Sequence, residues 1–125
     1  YESYSDKHRA SWVDRFDTTV DDMFEDYVFP QENGSHYNCQ YASVGNLYAK
    51  GKKPFSFQAS RYSEKELDEK AHNFELVPSD GIYVALDYKQ SGIGSNSCGP
   101  RLAEKYQIRE EKIEWEISLR FDNKN

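Results

Sequence analysis

The chain has 125 residues, the size of one ordinary domain, and carries a formal net charge of -6. That charge, with Lys50, Lys52 and Lys53 as the densest basic stretch, excludes nucleic acid as a natural partner, and no apolar run approaches the roughly 20 residues that span a bilayer. Leu, Ile, Val and Phe together fall just under roughly one-fifth of the chain, a level at which disorder becomes a concern, but ten Tyr, seven Phe and two Trp bring large buriable rings. The expectation is one folded domain over residues 1–125, with a thin aromatic core under a polar skin, as in a sheet with one wet face.

Residues 1–33 are irregular in pattern and dense in Asp and aromatics, which fits a loop or arm. Within them Asp17, Thr18 and Thr19 could cap a short helical stretch over residues 20–24, where Asp21 and Asp22 would suit a helix N-terminus. Residues 37–44 are a weak strand candidate. Residues 50–54 (Lys-Gly-Lys-Lys-Pro) mark a turn, and residues 55–59 alternate as a strand. Ser63 with Glu66 fits a capping box, and Leu67 and Ala71 share a helix face, so a turn or two of helix is expected over residues 63–70. Residues 74–77 are another weak strand. The turn-prone residues 78–81 then lead into a strand over residues 82–88. The clearest signal comes last: Ile113, Trp115, Ile117, Leu119 and Phe121 alternate with Glu114, Glu116, Ser118 and Arg120, a half-buried strand with one wet face. Residues 122–125 read as a frayed tail.

The chemistry-bearing side chains do not assemble into a catalytic pattern. Glycoside cleavage needs two carboxyl groups about 5–5.5 Å apart for retention, and wider for inversion. Glu114 and Glu116 would sit roughly 6.6 Å apart on one strand face, but that face is the hydrated one, where nothing raises a carboxyl pKa. Asp21 with Asp22 and Glu110 with Glu111 have the same solvated reading. His8, His36 and His72 are far apart and form no metal-ligand spacing. Cys39 and Cys98 lack a CxxC pair and are expected as thiols. Residues 91–100 hold three Gly and a Pro but lack the Lys-Ser/Thr of a phosphate loop, so they suggest a loop shaped around a ligand or a neighbouring domain.

Four stretches, ordered along the chain, resemble the small-chain domain of the long glycoside hydrolase family 2 β-galactosidases. Residues 2–7 (Glu-Ser-Tyr-Ser-Asp-Lys) are similar to the family's Gly-Pro-x-Glu-x-Tyr-x-Asp-Arg segment without its leading Gly-Pro. Residues 27–34 (Tyr-Val-Phe-Pro-Gln-Glu-Asn-Gly) resemble its Tyr-Val-x-Pro-Gln/Ser-Glu-Asn-Gly box, the most specific match. Ser60, Arg61, Tyr62 and Ser63 with Leu67 follow a third stretch. Residues 92–100 match a Gly-rich loop in which Cys98 stands where better-known members carry Trp.

The resemblance implies an all-β fold, an antiparallel β-sandwich that is part of a supersandwich, with one short helix. It implies the non-catalytic C-terminal part of an enzyme hydrolysing terminal β-D-galactosides such as lactose. No catalytic or metal-binding residue is expected in this chain, because the family's Glu pair and its magnesium and sodium ions belong to an upstream barrel. Asn96, Ser97 and Cys98 are the candidate substrate-binding wall, and Glu2 and Ser3 a second loop near the same pocket. At Cys98 the missing indole removes a stacking platform. The expected partners are the remainder of the β-galactosidase chain or its large subunit and the galactoside, with no nucleic acid and no membrane. The residues at the start of the chain show no leader pattern, and the expected location is the bacterial cytoplasm. The alternative is an independent carbohydrate-binding or protein-docking β-sandwich. Such a module would need exposed aromatics on a flat face, whereas a piece of a larger body would expose an apolar face or a strand edge.

Overall fold

The structure, a computed structural model, describes residues 13–24, 34–89, 101 and 103–123. Among them one antiparallel four-stranded sheet forms around a long central strand. β1 (His36–Val44) turns through Gly45 and Asn46 into β2 (Leu47–Ser60), and the two pair along most of their length. The other edge of β2 is shared: β3 (Tyr83–Asp87) takes the half from Ser56 to Ser60, and β4 (Ile117–Phe121) takes the half from Leu47 to Gly51. One short helix, α1 (Glu64–Glu69), follows β2. The all-β antiparallel class with one short helix is therefore observed, and of the expected sandwich the described residues form one layer.

Residues 50–54 do not make the expected turn. They lie inside β2 as an irregularity, where the ladder with β1 shifts register between Cys39 and Tyr41. Here the backbone doubles so closely that a Cβ on Gly51 would sit 2.2 Å from the Lys53 carbonyl oxygen, a separation only glycine allows. Asn38 absorbs a second shift with φ at 55°, a left-handed conformation that Asn tolerates better than most residues.

The kink also shortens the last strand. Ladder pairing of β4 ends at Gly51 opposite Ile117, so residues 113–116 have no straight partner to pair with, apart from the Lys52 N–H donating to the Glu116 carbonyl at 3.3 Å. The expected strand over residues 113–121 is thus a five-residue strand with an extended lead-in. Residues 74–77 are corrected as well: Asn73–Glu75 is a 3₁₀ turn in which the Glu75 carboxylate takes the N–H groups of Ala71 and His72, leaving Phe74 exposed. Local side-chain acceptors won over weak strand propensity there.

α1 starts where the cap predicts, since Ser63 Oγ accepts the Glu66 N–H at 3.0 Å. The reciprocal half of the box does not form there, because Glu66 Oε1 instead accepts the Val77 N–H at 2.9 Å and so fastens the following segment to the helix. Residues 20–24 make one turn rather than a helix. Thr19 Oγ1 accepts the Asp22 N–H, and only Met23 N to Thr19 O closes an α-type bond.

The core is small and lies on one sheet face. Ala42, Ala49 and Phe55 are buried together, with Cys39, Phe57, Leu86, Trp115 and Ile117 packed around them. Residues paired across an antiparallel ladder share a face, so Ala42, Ala49 and Leu119 form one row, and Val44, Leu47 and Phe121 the next. Phe55 is 1% exposed, whereas Leu119 is 51% and Phe121 63% exposed on the same face. The apolar set of the last strand is therefore only partly buried, contrary to the sequence expectation, because no described layer lies over that end. On the opposite face Tyr41 stacks on Tyr48 at 6.1 Å between ring centroids, and the Arg120 guanidinium sits over Tyr48 at 5.0 Å.

Candidate functional site

Asn96, Ser97 and Cys98, together with Glu2 and Ser3, lie outside the described residues, and so does the box at residues 27–33. What the structure places are the anchors on either side of these stretches. The motif residues that are described turn out to be those anchors.

Gly34, the last residue of the box, has φ at 66°, and a Cβ there would lie 2.3 Å from the Met23 carbonyl oxygen. Glycine is required twice over, by the backbone angle and by the approach of the 13–24 segment. Arg61 Nε donates to Asp21 Oδ1 at 2.8 Å, and the Tyr62 ring packs against Phe24 with centroids 4.9 Å apart. Ser60 Oγ accepts the Tyr62 N–H and Ser63 caps α1. The Ser60–Ser63 stretch therefore has a physical job: it bends the chain off β2 and pins the irregular 13–24 segment beside it. His36 extends this junction. Its ring lies 5.7 Å from Phe16, with Nδ1 3.1 Å from the Gly34 carbonyl, and burial pushes its pKa below the usual value.

The Gly-rich stretch is anchored differently. β3 ends at Asp87, and the next two side chains reach across to the returning chain. Tyr88 OH donates to Glu110 Oε1 at 3.3 Å and Lys89 Nζ to the same oxygen at 3.0 Å, while Glu110 Oε2 accepts the Arg109 N–H at 3.0 Å. These donors, Lys89 foremost, hold the Glu110 carboxyl down to about 2. The return is laced internally, with Arg109 paired to Glu104 at 3.0 Å and Gln107 Oε1 accepting from both Arg101 and Arg109.

The other candidates remain apart. Glu114 pairs with Lys112 and Glu116 with Lys52, both carboxylates well exposed, so they face water and basic partners rather than each other. Among the described residues no group of three or more His, Cys, Asp or Glu converges as a metal site. The Cys39 thiol is free and half-buried, and burial pushes its pKa up. Cys98 and His8 lie outside the described residues. No described helix is long and apolar enough to cross a membrane.

Comparison with known proteins agrees with the motif order. The family described as β-galactosidase small chain matches residues 1–121. This chain belongs to that family. It is 47% identical over 121 residues to a β-galactosidase of Actinobacillus pleuropneumoniae, covering 97% of this chain and 12% of that protein. A β-galactosidase of Staphylococcus xylosus is 41% identical over 125 residues, with 97% and 13% covered. A Kluyveromyces lactis β-galactosidase is 33% identical over 127 residues, with 97% and 12% covered. The chain thus spans about an eighth of the length of these relatives.

Sequence reasoning missed the Glu110 junction because Glu110 looks like one more solvated acid beside Glu111. Its partner lies 21 positions earlier, and no local periodicity reports such a pair. Arg61 was visible only as a motif letter; its contact with Asp21, 40 positions away, is a tertiary fact.

Proposed function

We propose that this chain is the non-catalytic C-terminal segment of a β-galactosidase that hydrolyses terminal β-D-galactosides such as lactose, supporting the catalytic barrel and lending one wall to the sugar pocket. The observation that carries this reading is the uncovered apolar face in a chain whose relatives are about eight times longer. Leu119 and Phe121 stand open on that face, and the Trp115 indole N–H is buried without an acceptor among the described residues. A buried indole N–H ordinarily finds an acceptor, and the rest of the parent enzyme is the layer that would bring both cover and acceptor.

In this reading Asn96, Ser97 and Cys98 line the pocket, with Glu2 and Ser3 near them, and the catalytic Glu pair and the magnesium and sodium ions belong to the remainder of the enzyme. Glu114 and Glu116 are unsuited to acid catalysis, since both are hydrated and paired with lysines. An independent sugar-binding module is less well supported. On the other face Arg120 already covers Tyr48, which leaves Tyr41 as the exposed ring of that pair.

The test is activity on a chromogenic β-galactoside, with the purified chain alone and then mixed with the barrel-containing remainder of the enzyme. No turnover alone and turnover on mixing are expected. Hydrolysis by the chain alone would overturn the proposal, and so would barrel activity indifferent to its presence.

A further inference from the structure

We propose that Phe74 is a docking anchor: a rigidly presented ring on an acidic shoulder of the fold, which seats in an apolar socket rimmed by Lys and Arg on the part of the enzyme outside this chain. The choice of that partner rests on the reading above, in which the chain is one segment of a longer β-galactosidase, whereas the presentation of the ring stands on its own geometry.

An exposed apolar side chain alone means little, since folded surfaces carry many. Phe74 differs in how it is held. Its ring is 85% exposed, yet the backbone beneath it is fixed on both sides. The Glu75 carboxylate accepts the Ala71 N–H at 3.1 Å and the His72 N–H at 2.9 Å, and the Leu76 N–H closes the turn on the Asn73 carbonyl. The bond from the His72 N–H is the foremost cause that holds the Glu75 carboxyl below its ordinary value. Beyond the turn, Glu66 Oε1 accepts the Val77 N–H and the Arg61 carbonyl accepts the Ser79 N–H, both at 2.9 Å. The His72 ring stacks on Phe74 with centroids 5.1 Å apart and planes 17° from parallel, so the side chain is ordered as well as its backbone. A ring ordered before contact loses little further freedom on burial, and a few such aromatics carry most of the energy of an interface.

The surroundings of the ring set the chemistry of the partner. Residues 63–80 hold six acids, Glu64, Glu66, Asp68, Glu69, Glu75 and Asp80, against Lys65 and Lys70, a net charge of -4 out of the -6 of the whole chain. The bond from Val77 to Glu66 ties the turn to α1, so the acids of the helix and the ring belong to one shoulder. Lys65 answers Glu69 at 3.7 Å, while Glu64, Asp68 and Asp80 stand exposed. An acidic rim around the socket would be repelled by this shoulder, and complementary potential calls for Lys and Arg. The chain spans about an eighth of the length of its relatives, so most of the surface that could supply such a socket lies outside it.

The test uses a full-length β-galactosidase carrying this segment and follows hydroxyl-radical modification of single side chains by mass spectrometry. Phe74 is read against Phe55, buried in the core of this chain, and against Leu119 and Phe121 on the open end of the apolar face. In the native enzyme Phe74 should be modified at least about fivefold more slowly than in urea, the protection of a ring at the dry centre of an interface. Modification as fast as in urea would overturn the anchor. If Leu119 and Phe121 are slow in that same sample, the reading of the chain as one segment of a longer enzyme survives the loss. Slow Phe74 beside fast Leu119 and Phe121 would support the anchor and count against the covered face instead. Asp68→Lys combined with Asp80→Lys should speed Phe74 modification by about threefold, the scale of charge complementarity at a rim, with Phe55 unchanged. No response to that reversal would overturn the basic rim and the stated partner with it. Protection that vanishes when the enzyme is diluted to single chains would assign the socket to a second copy and overturn the proposal as well.

Discussion

Phe55 in β2 and Phe121 in β4 lie on the same face of one sheet, and their environments are opposite. Phe55 is 1% exposed beneath Trp115, Ile117 and Leu86, whereas Phe121 stands 63% exposed at the far end of the face. Residue type and strand alternation are the same for both, so neither explains the difference. What differs is cover: the lead-in to β4 folds Trp115 over the Phe55 end, and no described segment does this for Leu119 and Phe121. The closed end is a core that this chain makes by itself, and the open end is half of a core.

Four substitutions and one titration sharpen that contrast. Phe55→Ala should be the most damaging, costing about 3–5 kcal/mol for lost burial and the cavity left behind, in the isolated chain and in the parent enzyme alike; thermal or urea unfolding of each reports it. Leu119→Asp should cost about 2–4 kcal/mol in the full enzyme, where a charge would be buried without a partner, yet under about 1 kcal/mol in the isolated chain, where the site meets water. Equal losses in both settings would mean that the open face stays open in the enzyme. Gly34→Ala should cost about 1–2 kcal/mol from the left-handed backbone alone, with more from the overlap with Met23. Its effect should appear as faster proteolysis near residues 13–24 before any loss of sheet signal. Ser63→Ala removes the α1 cap and should cost about 1 kcal/mol, with the far-ultraviolet helical signal as the readout.

The smallest effect is acid-dependent. Glu110 is held at about 2, below the 4.5 of an unperturbed carboxyl, so the folded state favours its ionised form. That contribution is fully present above about pH 4.5 and fades as pH falls toward 2. Glu110→Gln should flatten this part of the stability–pH curve and leave the neutral-pH end slightly lowered. A curve of unchanged shape would show that the carboxylate is not held by Lys89 in solution.

Most of the described fold was legible in the sequence where one local rule acted alone. The strand expected over residues 82–88 formed as Tyr83–Asp87 and the Ser63 cap formed as expected, while residues 80 and 81 bend the chain where a turn was expected, with Ser79 Oγ donating to the Gly81 carbonyl at 2.7 Å. The errors lie where two local rules competed. Residues 50–54 looked like a turn because Gly and Pro usually punctuate, but β1 and β4 grip β2 below the kink while β1 and β3 grip it above, and the strand continues through. Residues 113–116 alternated as well as any strand and still lost their ladder to that same kink.

The candidate site divides in the same way. Its motif letters were readable in order along the chain, and the family match over residues 1–121 agrees with them. Their purposes were not readable, because Arg61 acts on Asp21 and Glu110 on Lys89 across 40 and 21 positions. Sequence alone determined the class of fold, the acidic surface, the capped helix and the family, since each depends on composition, short-range pattern or motif order. Tertiary structure alone decided which end of the apolar face is closed, why Gly34 must be glycine and which acid meets Lys89 after β3, because burial and long-range pairing exist only once distant segments share space.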